Sequence, residues 1–266
     1  MRVGGDRGGD MPKVKVGDIN LYYEQYGNGD PIIFAHAFLD DCSVWKAQVD
    51  ALAQKHTVIV FDHRGHGRSD KPKSDYSVQT LANDLYALIL ELNLDKVALV
   101  GNSVGGMTIL KFTLDHPDRV SKLVLVCTTA RIIIPSPVLG GVIGGLLALV
   151  PYGMFARTMQ KLKLNRPSQV AINQAVERAM QVPKYAAYPC YISWLTNYDI
   201  RRRVSEIEVP TLIVAGEKDR SITTSMTQFL HKAIRGSRLE VIPDCGHVPM
   251  VDKPAEFNKI LTDFLG

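Results

Sequence analysis

Lys96-Val97-Ala98-Leu99-Val100-Gly101-Asn102-Ser103-Val104-Gly105-Gly106-Met107-Thr108-Ile109-Leu110 is the stretch that decides the fold. Residues 96–100 are an apolar run of strand length, and residues 104–114 read as a helix. Between them, Gly101-Asn102-Ser103-Val104-Gly105 matches the pattern G-x-S-x-G. Taken alone, that pattern is no more than a glycine-rich turn with an idle serine. Placed between a strand and a helix it has a mechanical meaning. The serine occupies a sharp, strained turn that presents its hydroxyl, and the flanking glycines let neighbouring backbone pack closely.

Outward from this turn the same alternation recurs. Stretches at 31–35, 57–61, 122–127, 211–215 and 238–242 read as buried strands. Several are continuously apolar, as parallel strands covered on both faces require. Amphipathic helices fall between them. Trp45, Val49 and Leu52 share one stripe and Leu81, Leu85, Leu88 and Leu92 another, with Ser43 and Ser77 as N-caps. The last helix opens at Pro254 and aligns Phe257, Ile260, Leu261 and Phe264 on one face. Ahead of the alternation, 14–16 and 19–26 read as an antiparallel pair closed by Gly17-Asp18. The predicted fold class is α/β, with a mostly parallel central sheet flanked by helices.

The rhythm breaks between Thr129 and about Glu208, where the chain is mainly helical and Ile172, Ala175, Val176 and Ala179 mark one amphipathic helix. An insertion of that length between two strands reads as a helical cap over the carboxyl edge of the sheet, where open α/β sheets bind ligands. The predicted organisation is a flexible extension at 1–12, a core at 13–129 and 209–266, and a cap at 130–208. Within the cap, 132–150 carries no charge and is long enough to cross a bilayer. A single crossing would separate strands of one sheet. Pro135, Pro137 and the pairs Gly140-Gly141 and Gly144-Gly145 also disfavour a regular helix. The segment therefore reads as an apolar lid or core-packing piece, with weak contact to lipid as the second reading.

Bulk properties narrow the function classes. With 46% hydrophobic and 22% charged residues, the 266-residue chain has ordinary globular composition, which excludes disorder and coiled coil. The net charge of +4 is mild and scattered, apart from Arg201-Arg202-Arg203 and a sparse basic stretch from Arg157 to Arg166, so the concentrated basic face needed for nucleic acid is not predicted. Cys42, Cys127, Cys190 and Cys245 form neither a CxxC nor a disulfide ladder, and the first residues lack the apolar core of a signal peptide. A reducing, cytoplasmic location is expected.

A serine hydroxyl is a weak nucleophile and needs a base whose orientation a third group fixes. His247, in Asp244-Cys245-Gly246-His247-Val248-Pro249, follows the strand at 238–242. Asp219, in Gly216-Glu217-Lys218-Asp219, follows the strand at 211–215, with Glu217 as the competing acid. The bland alternatives are an exposed loop imidazole and a turn carboxylate. Against them stands the shared edge: both residues, like Ser103, fall at carboxyl ends of strands. Two backbone N–H groups must also face the developing oxyanion. Val104, directly after the serine, is one; Phe38, in His36-Ala37-Phe38 after the strand at 31–35, is assigned as the other. Ile132 to Ile134, Leu146, Leu147, Leu149 and Met154 predict a hydrophobic acyl or alcohol group on a small ester-like substrate.

The ordered set Phe34-Ala35-His36-Ala37-Phe38, Asp62-His63-Arg64-Gly65-His66-Gly67-Arg68-Ser69, the Ser103 turn, Gly216-Glu217-Lys218-Asp219 and Gly246-His247 with Pro249 resembles the α/β-hydrolase superfamily, in its esterase and lactonase branch. The resemblance implies a hydrolase without a cofactor, a Ser103-Asp219-His247 triad, and a helical cap that shapes substrate choice. It also implies that the loop from Asp62 to Ser69 is structural rather than metal-binding, with Arg64 and His66 stabilising its turn. Some relatives place the acid after the strand at 122–127. Here that strand runs into Thr128-Thr129-Ala130, which favours Asp219.

Two departures from the pattern stand out. Ala37 replaces a usual glycine, so its methyl is expected to crowd the oxyanion site or change its backbone angle. Val248 replaces the tryptophan that usually follows the histidine in carbon-carbon bond hydrolases, which share the Gly-Asn-Ser turn. That chemistry is the first alternative, and a non-catalytic small-molecule receptor on the same fold is the second.

Overall fold

The computed structural model describes residues 12–132 and 137–266. The predicted extension at 1–12 lies outside them except for Pro12, whose carbonyl accepts the Tyr23 N–H. Eight strands form one sheet: β1 (Lys13–Val16), β2 (Ile19–Tyr26), β3 (Pro31–Ala35), β4 (Thr57–Phe61), β5 (Val97–Asn102), β6 (Val120–Val126), β7 (Thr211–Gly216) and β8 (Arg238–Ile242). Their order is β1-β2-β4-β3-β5-β6-β7-β8. β1 and β2 pair antiparallel, as does β2 with β4, and every other pairing is parallel. The strand order reverses between β3 and β5. Such a switch opens a crevice at the carboxyl ends of the two strands.

Alternation along each strand builds two cores. Ile33, Leu99, Leu125 and Ile213 point to one face, where α2 (Val78–Glu91), α3 (Val104–Asp115) and α8 (Thr224–Ala233) cover them through Leu85, Leu88, Ile109, Phe112 and Leu230. Phe34, Val100, Val124 and Val214 point to the other, against Val49 and Leu52 of α1 (Lys46–Leu52) and Phe257 and Leu261 of α10 (Pro254–Leu265). The short α9 (Pro249–Asp252) leads into α10. Ser77 caps α2 as predicted, accepting the Thr80 N–H. Ser43 does not cap α1. It lies inside a preceding turn of 3₁₀ helix over Cys42–Trp45, which Asp41 caps by accepting the Ser43 N–H.

Between β6 and β7 lie α4 (Pro137–Leu149), α5 (Tyr152–Lys163), α6 (Gln169–Met180) and α7 (Lys184–Asn197). The inserted segment leaves and returns at one place, where Arg131 pairs with Asp199 and the Ile200 N–H bonds the Ala130 carbonyl. In α6, Ile172, Ala175 and Ala179 are buried as their spacing predicts. The expectation that prolines and glycine pairs would break the helix near 140 is corrected: α4 is regular. Its proline opens the helix, where no intrahelical N–H is lost. Gly140 and Gly144 face α7, where an added Cβ would lie 2.1 Å from Thr196 Cγ2 or 2.6 Å from Ile192 Cδ1. Close approach to α7 thus outweighs the low helix propensity of glycine. No single helix among the described residues is long and apolar enough to cross a membrane, and the helical segments Gly140–Leu147 and Tyr152–Lys163 meet at 115°.

Candidate active site

Ser103 stands between β5 and α3 with φ 54° and ψ −117°, the strained conformation expected of the turn. Its N–H bonds the Val126 carbonyl at 3.0 Å, and its carbonyl accepts the Thr128 hydroxyl at 2.7 Å. Glycine is required beside it. A Cβ on Gly105 would sit 2.2 Å from the Ala35 carbonyl oxygen, and one on Gly101 would sit 2.6 Å from Gly105 backbone. Asn102, which sequence reasoning quoted but gave no task, divides its buried amide between the Val126 and His247 carbonyls, each at 3.1 Å. The serine turn is thereby tied to the histidine loop. Its signal in the sequence was only a buried polar residue at the end of an apolar run.

The structure joins His247 to Asp219. His247 Nδ1 lies 2.7 Å from Asp219 Oδ2, with both side chains almost fully buried. The second carboxylate oxygen, Oδ1, accepts the N–H groups of Ser221 at 2.8 Å and Ile222 at 3.0 Å. Asp219 is therefore held through both carboxylate oxygens. Glu217, the competing acid, is half exposed and takes the Asp244 N–H and the Lys218 ammonium instead.

Cys127, just beyond β6, offers a thiol within 4.8 Å of ligand atoms of Asp219 and His247. Burial, reinforced by the Asp219 charge, pushes that thiol well above the ordinary cysteine range. His247 and Asp219 already form a hydrogen-bonded couple at 2.7 Å, beside which this thiol sits.

The loop after β3 places Phe38 and Val104 in one buried apolar cluster with Phe155. The Phe38 ring also lies 5.7 Å from Tyr191 and 6.2 Å from Trp194 of α7, centroid to centroid. Val104 opens α3, so helix geometry leaves its N–H without an intrahelical acceptor. Ala37, where crowding or a changed backbone angle is expected, is buried in this loop. Its φ is not positive, and the left-handed residue of this loop is Leu39, with φ 59°. An L-residue therefore fits position 37 without backbone strain.

The Asp62 to Ser69 loop is held by its own side chains. Asp62 accepts the N–H groups of Cys42 and Arg68, each at 2.7 Å, and Arg64 forms a buried two-point pair with Asp84 at 2.5 and 2.7 Å. Burial drives His66 down to about 3 and His63 well below the usual imidazole range, so both rings are neutral. Arg201 and Arg203 are likewise engaged, with Asp199 and with Asp115 and Glu206.

The predicted apolar cap residues divide. Leu146, Leu149 and Met154 are exposed, Ile132 and Leu147 pack half-buried against apolar clusters, and Ile133 and Ile134 lie outside the described residues. The apolar cluster that holds Val104, the residue after Ser103, also contains Phe38 and Phe155, with Leu147, Tyr191 and Trp194 packed against it.

The chain has known counterparts in sequence and in structure. The model of the alpha/beta hydrolase fold matches residues 30–166 and 164–254. A provisionally named non-heme chloroperoxidase of Synechocystis sp. is 31% identical, over 96% of this chain and all of its own. Est816, described as an N-acyl homoserine lactone degrading enzyme, superposes with a TM-score of 0.83 at 32% identity, covering 95% of this chain and 100% of that one. The enol-lactonase from Burkholderia xenovorans LB400 gives 0.88 at 26% identity, over 96% and 99%. The chain belongs to the α/β-hydrolase fold family, in its esterase- and lactonase-like branch.

Proposed function

We propose that this chain is a serine hydrolase that cleaves a carboxylic ester or lactone of a small, apolar substrate through an acyl-enzyme on Ser103. The buried 2.7 Å contact between His247 and Asp219 carries the reading. An ionised Asp219 can only accept, so His247 Nδ1 bears the proton and Nε2 is left with its lone pair. Nε2 takes the Ser103 proton as Oγ attacks the carbonyl carbon, and the N–H groups of Phe38 and Val104 receive the oxyanion. The imidazolium then protonates the leaving oxygen. In the second half-cycle, water gives its proton to His247 as it attacks the acyl carbon, and the imidazolium returns that proton to Ser103 Oγ as the bond to Oγ breaks and the acid leaves. These side chains carry every proton and electron pair, and the reading calls for no cofactor.

The segment at 130–208 acts as a cap in this reading, its stems joined at Arg131 and Asp199 and its Phe155, Tyr191 and Trp194 walling the approach to Ser103. The lactone-directed names of Est816 and the Burkholderia enzyme support the ester and lactone class. Four buried free cysteines support a cytoplasmic site of action. A fluorophosphonate probe is expected to add one equivalent to the protein, with the adduct on the peptide carrying Ser103. Labelling at another residue, or none, would overturn the proposal. A panel of ester, lactone, thioester and carbon-carbon substrates then ranks the classes.

Weak lipid contact forms part of the same reading. Val138, Val142, Leu146 and Leu149 line the face of α4 turned away from α7 and are 54–80% exposed. No carboxylate falls between Asp118 and Glu177, while Arg157 and Lys161 are exposed on α5. Such a surface suits anionic headgroups. Co-sedimentation with phosphatidylglycerol vesicles is expected to exceed that with phosphatidylcholine and to fall in Leu146→Asp. Equal, background-level sedimentation with both would remove this part.

A further inference from the structure

The end of α5 touches both halves of the site. Lys163, its last residue, is buried, and its ammonium donates to the Phe38 carbonyl and, at 2.8 Å, to Asp40 Oδ2. Its own carbonyl accepts the His247 N–H at 2.8 Å. One turn earlier, Gln160 Nε2 donates to the Leu39 carbonyl at 2.7 Å. Two residues later, the Asn165 amide donates to the Asp244 carbonyl at 2.8 Å, and the Asn165 N–H shares the Asp252 carboxylate with the Gly246 N–H. The loop from Phe38 to Asp40 and the loop from Asp244 to His247 therefore rest on one short piece of chain.

Stability alone gives a weak reason for this arrangement. Burying an ammonium and a carboxylate costs several kcal/mol per ion by order of magnitude, and an apolar pair of the same shape often serves as well or better. Burial does pull the Lys163 ammonium down, with Asp40 offsetting part of the effect. What an apolar side chain cannot do is hold a carbonyl. The Phe38 and Leu39 carbonyls flank a residue at φ 59°, a conformation that non-glycine residues adopt only when their surroundings impose it. Donors from α5 hold both peptide planes, and the Phe38 N–H precedes them by one peptide.

We propose that Lys163 is a positioning residue, whose ammonium sets the pitch of the Phe38 peptide while its carbonyl fixes the height of His247. The inference rests on the reading of Phe38 as oxyanion donor and His247 as base. It assigns to the cap a task besides walling the substrate pocket: α5 sets the distance between the donor loop and the base. Any substitution at 163 keeps the carbonyl contact to His247, so the side-chain function can be removed by itself.

Lys163→Met alone would leave Asp40 buried without its closest partner and is liable to unfold. The test is therefore Lys163→Met combined with Asp40→Asn, which removes both charges together. On an ester hydrolysed by the unmodified enzyme, the double variant is expected to lose about 10²-fold in kcat with KM changed less than threefold, the scale of a misplaced oxyanion donor. Fluorophosphonate labelling of Ser103 should slow by a similar factor, and the affinity for a trifluoromethyl ketone transition-state analogue should fall in parallel. Lys163→Arg, which keeps charge and donors, should recover part of the loss. Wild-type labelling rate and analogue affinity in a folded double variant would overturn the inference and leave Ser103's assignment intact. A loss of kcat that only tracks the folded fraction, measured by circular dichroism, would overturn it as well. Absence of labelling in the unmodified protein would instead strike the hydrolase mechanism itself.

Discussion

Replacing Ser103 with alanine is expected to lower kcat by about 10⁶-fold, the scale on which loss of the nucleophile acts in enzymes with a Ser-His-Asp unit. The structure makes this a clean experiment. The contacts that hold residue 103 in the turn are made by its backbone: the N–H to Val126, and the carbonyl to Thr128 and Met107. Alanine retains all of them. The positive φ is also no harder to occupy, because serine already carries a Cβ there. The melting temperature should therefore change little while turnover disappears. Initial rates on the best substrate of the ester and lactone panel decide the matter. A folded variant keeping more than a few per cent of the wild-type rate would show that Ser103 is not the nucleophile.

How far the sequence reaches depends on whether a feature is local. The parallel strands were legible because residues such as Ile33 and Phe34, or Leu99 and Val100, are apolar on both faces, which a strand covered by helices on each side must be. The serine turn was legible because Gly101 and Gly105 are forced by backbone that runs beside them. Asp219 and His247 were legible from their places after β7 and β8, although only the fold shows that Glu217 is spent on Asp244 and Lys218. The regular α4 was not legible, because the reason for its glycines lies in Thr196 and Ile192, about fifty residues away in the chain. The direction of Leu146 and Leu149 was hidden for a related reason: which face of a nearly uniform apolar helix turns inward is decided by its neighbour. Lys163 left no local signal. Read in sequence, Lys161-Leu162-Lys163 is a basic helix end of the kind that usually faces water.

Asp219→Asn is expected to cost about 10⁴-fold in kcat while leaving fold and KM nearly unchanged, through the tautomer of His247. Asparagine keeps the shape of aspartate but has one acceptor and one donor end. The Ser221 and Ile222 N–H groups both point at Oδ1, so the amide oxygen must remain there. The amide NH₂ is then turned toward His247 Nδ1, where the carboxylate oxygen now sits at 2.7 Å. Two donors cannot face each other at that distance, so the imidazole moves its proton to Nε2 and accepts at Nδ1. A ring protonated at Nε2 has no lone pair for the Ser103 proton, and the neutral amide no longer stabilises the imidazolium. Flipping the amide would restore the tautomer only by setting its NH₂ against the two backbone donors, at a cost of about 1–3 kcal/mol for each buried group left unpaired. Ring ¹⁵N shifts of His247 should report the exchange of tautomers directly, and kcat on the same ester should report its consequence. Glu217, half exposed and already engaged, should provide no rescue. A variant that keeps the Nδ1–H tautomer, or loses less than tenfold in kcat, would remove Asp219 from the mechanism.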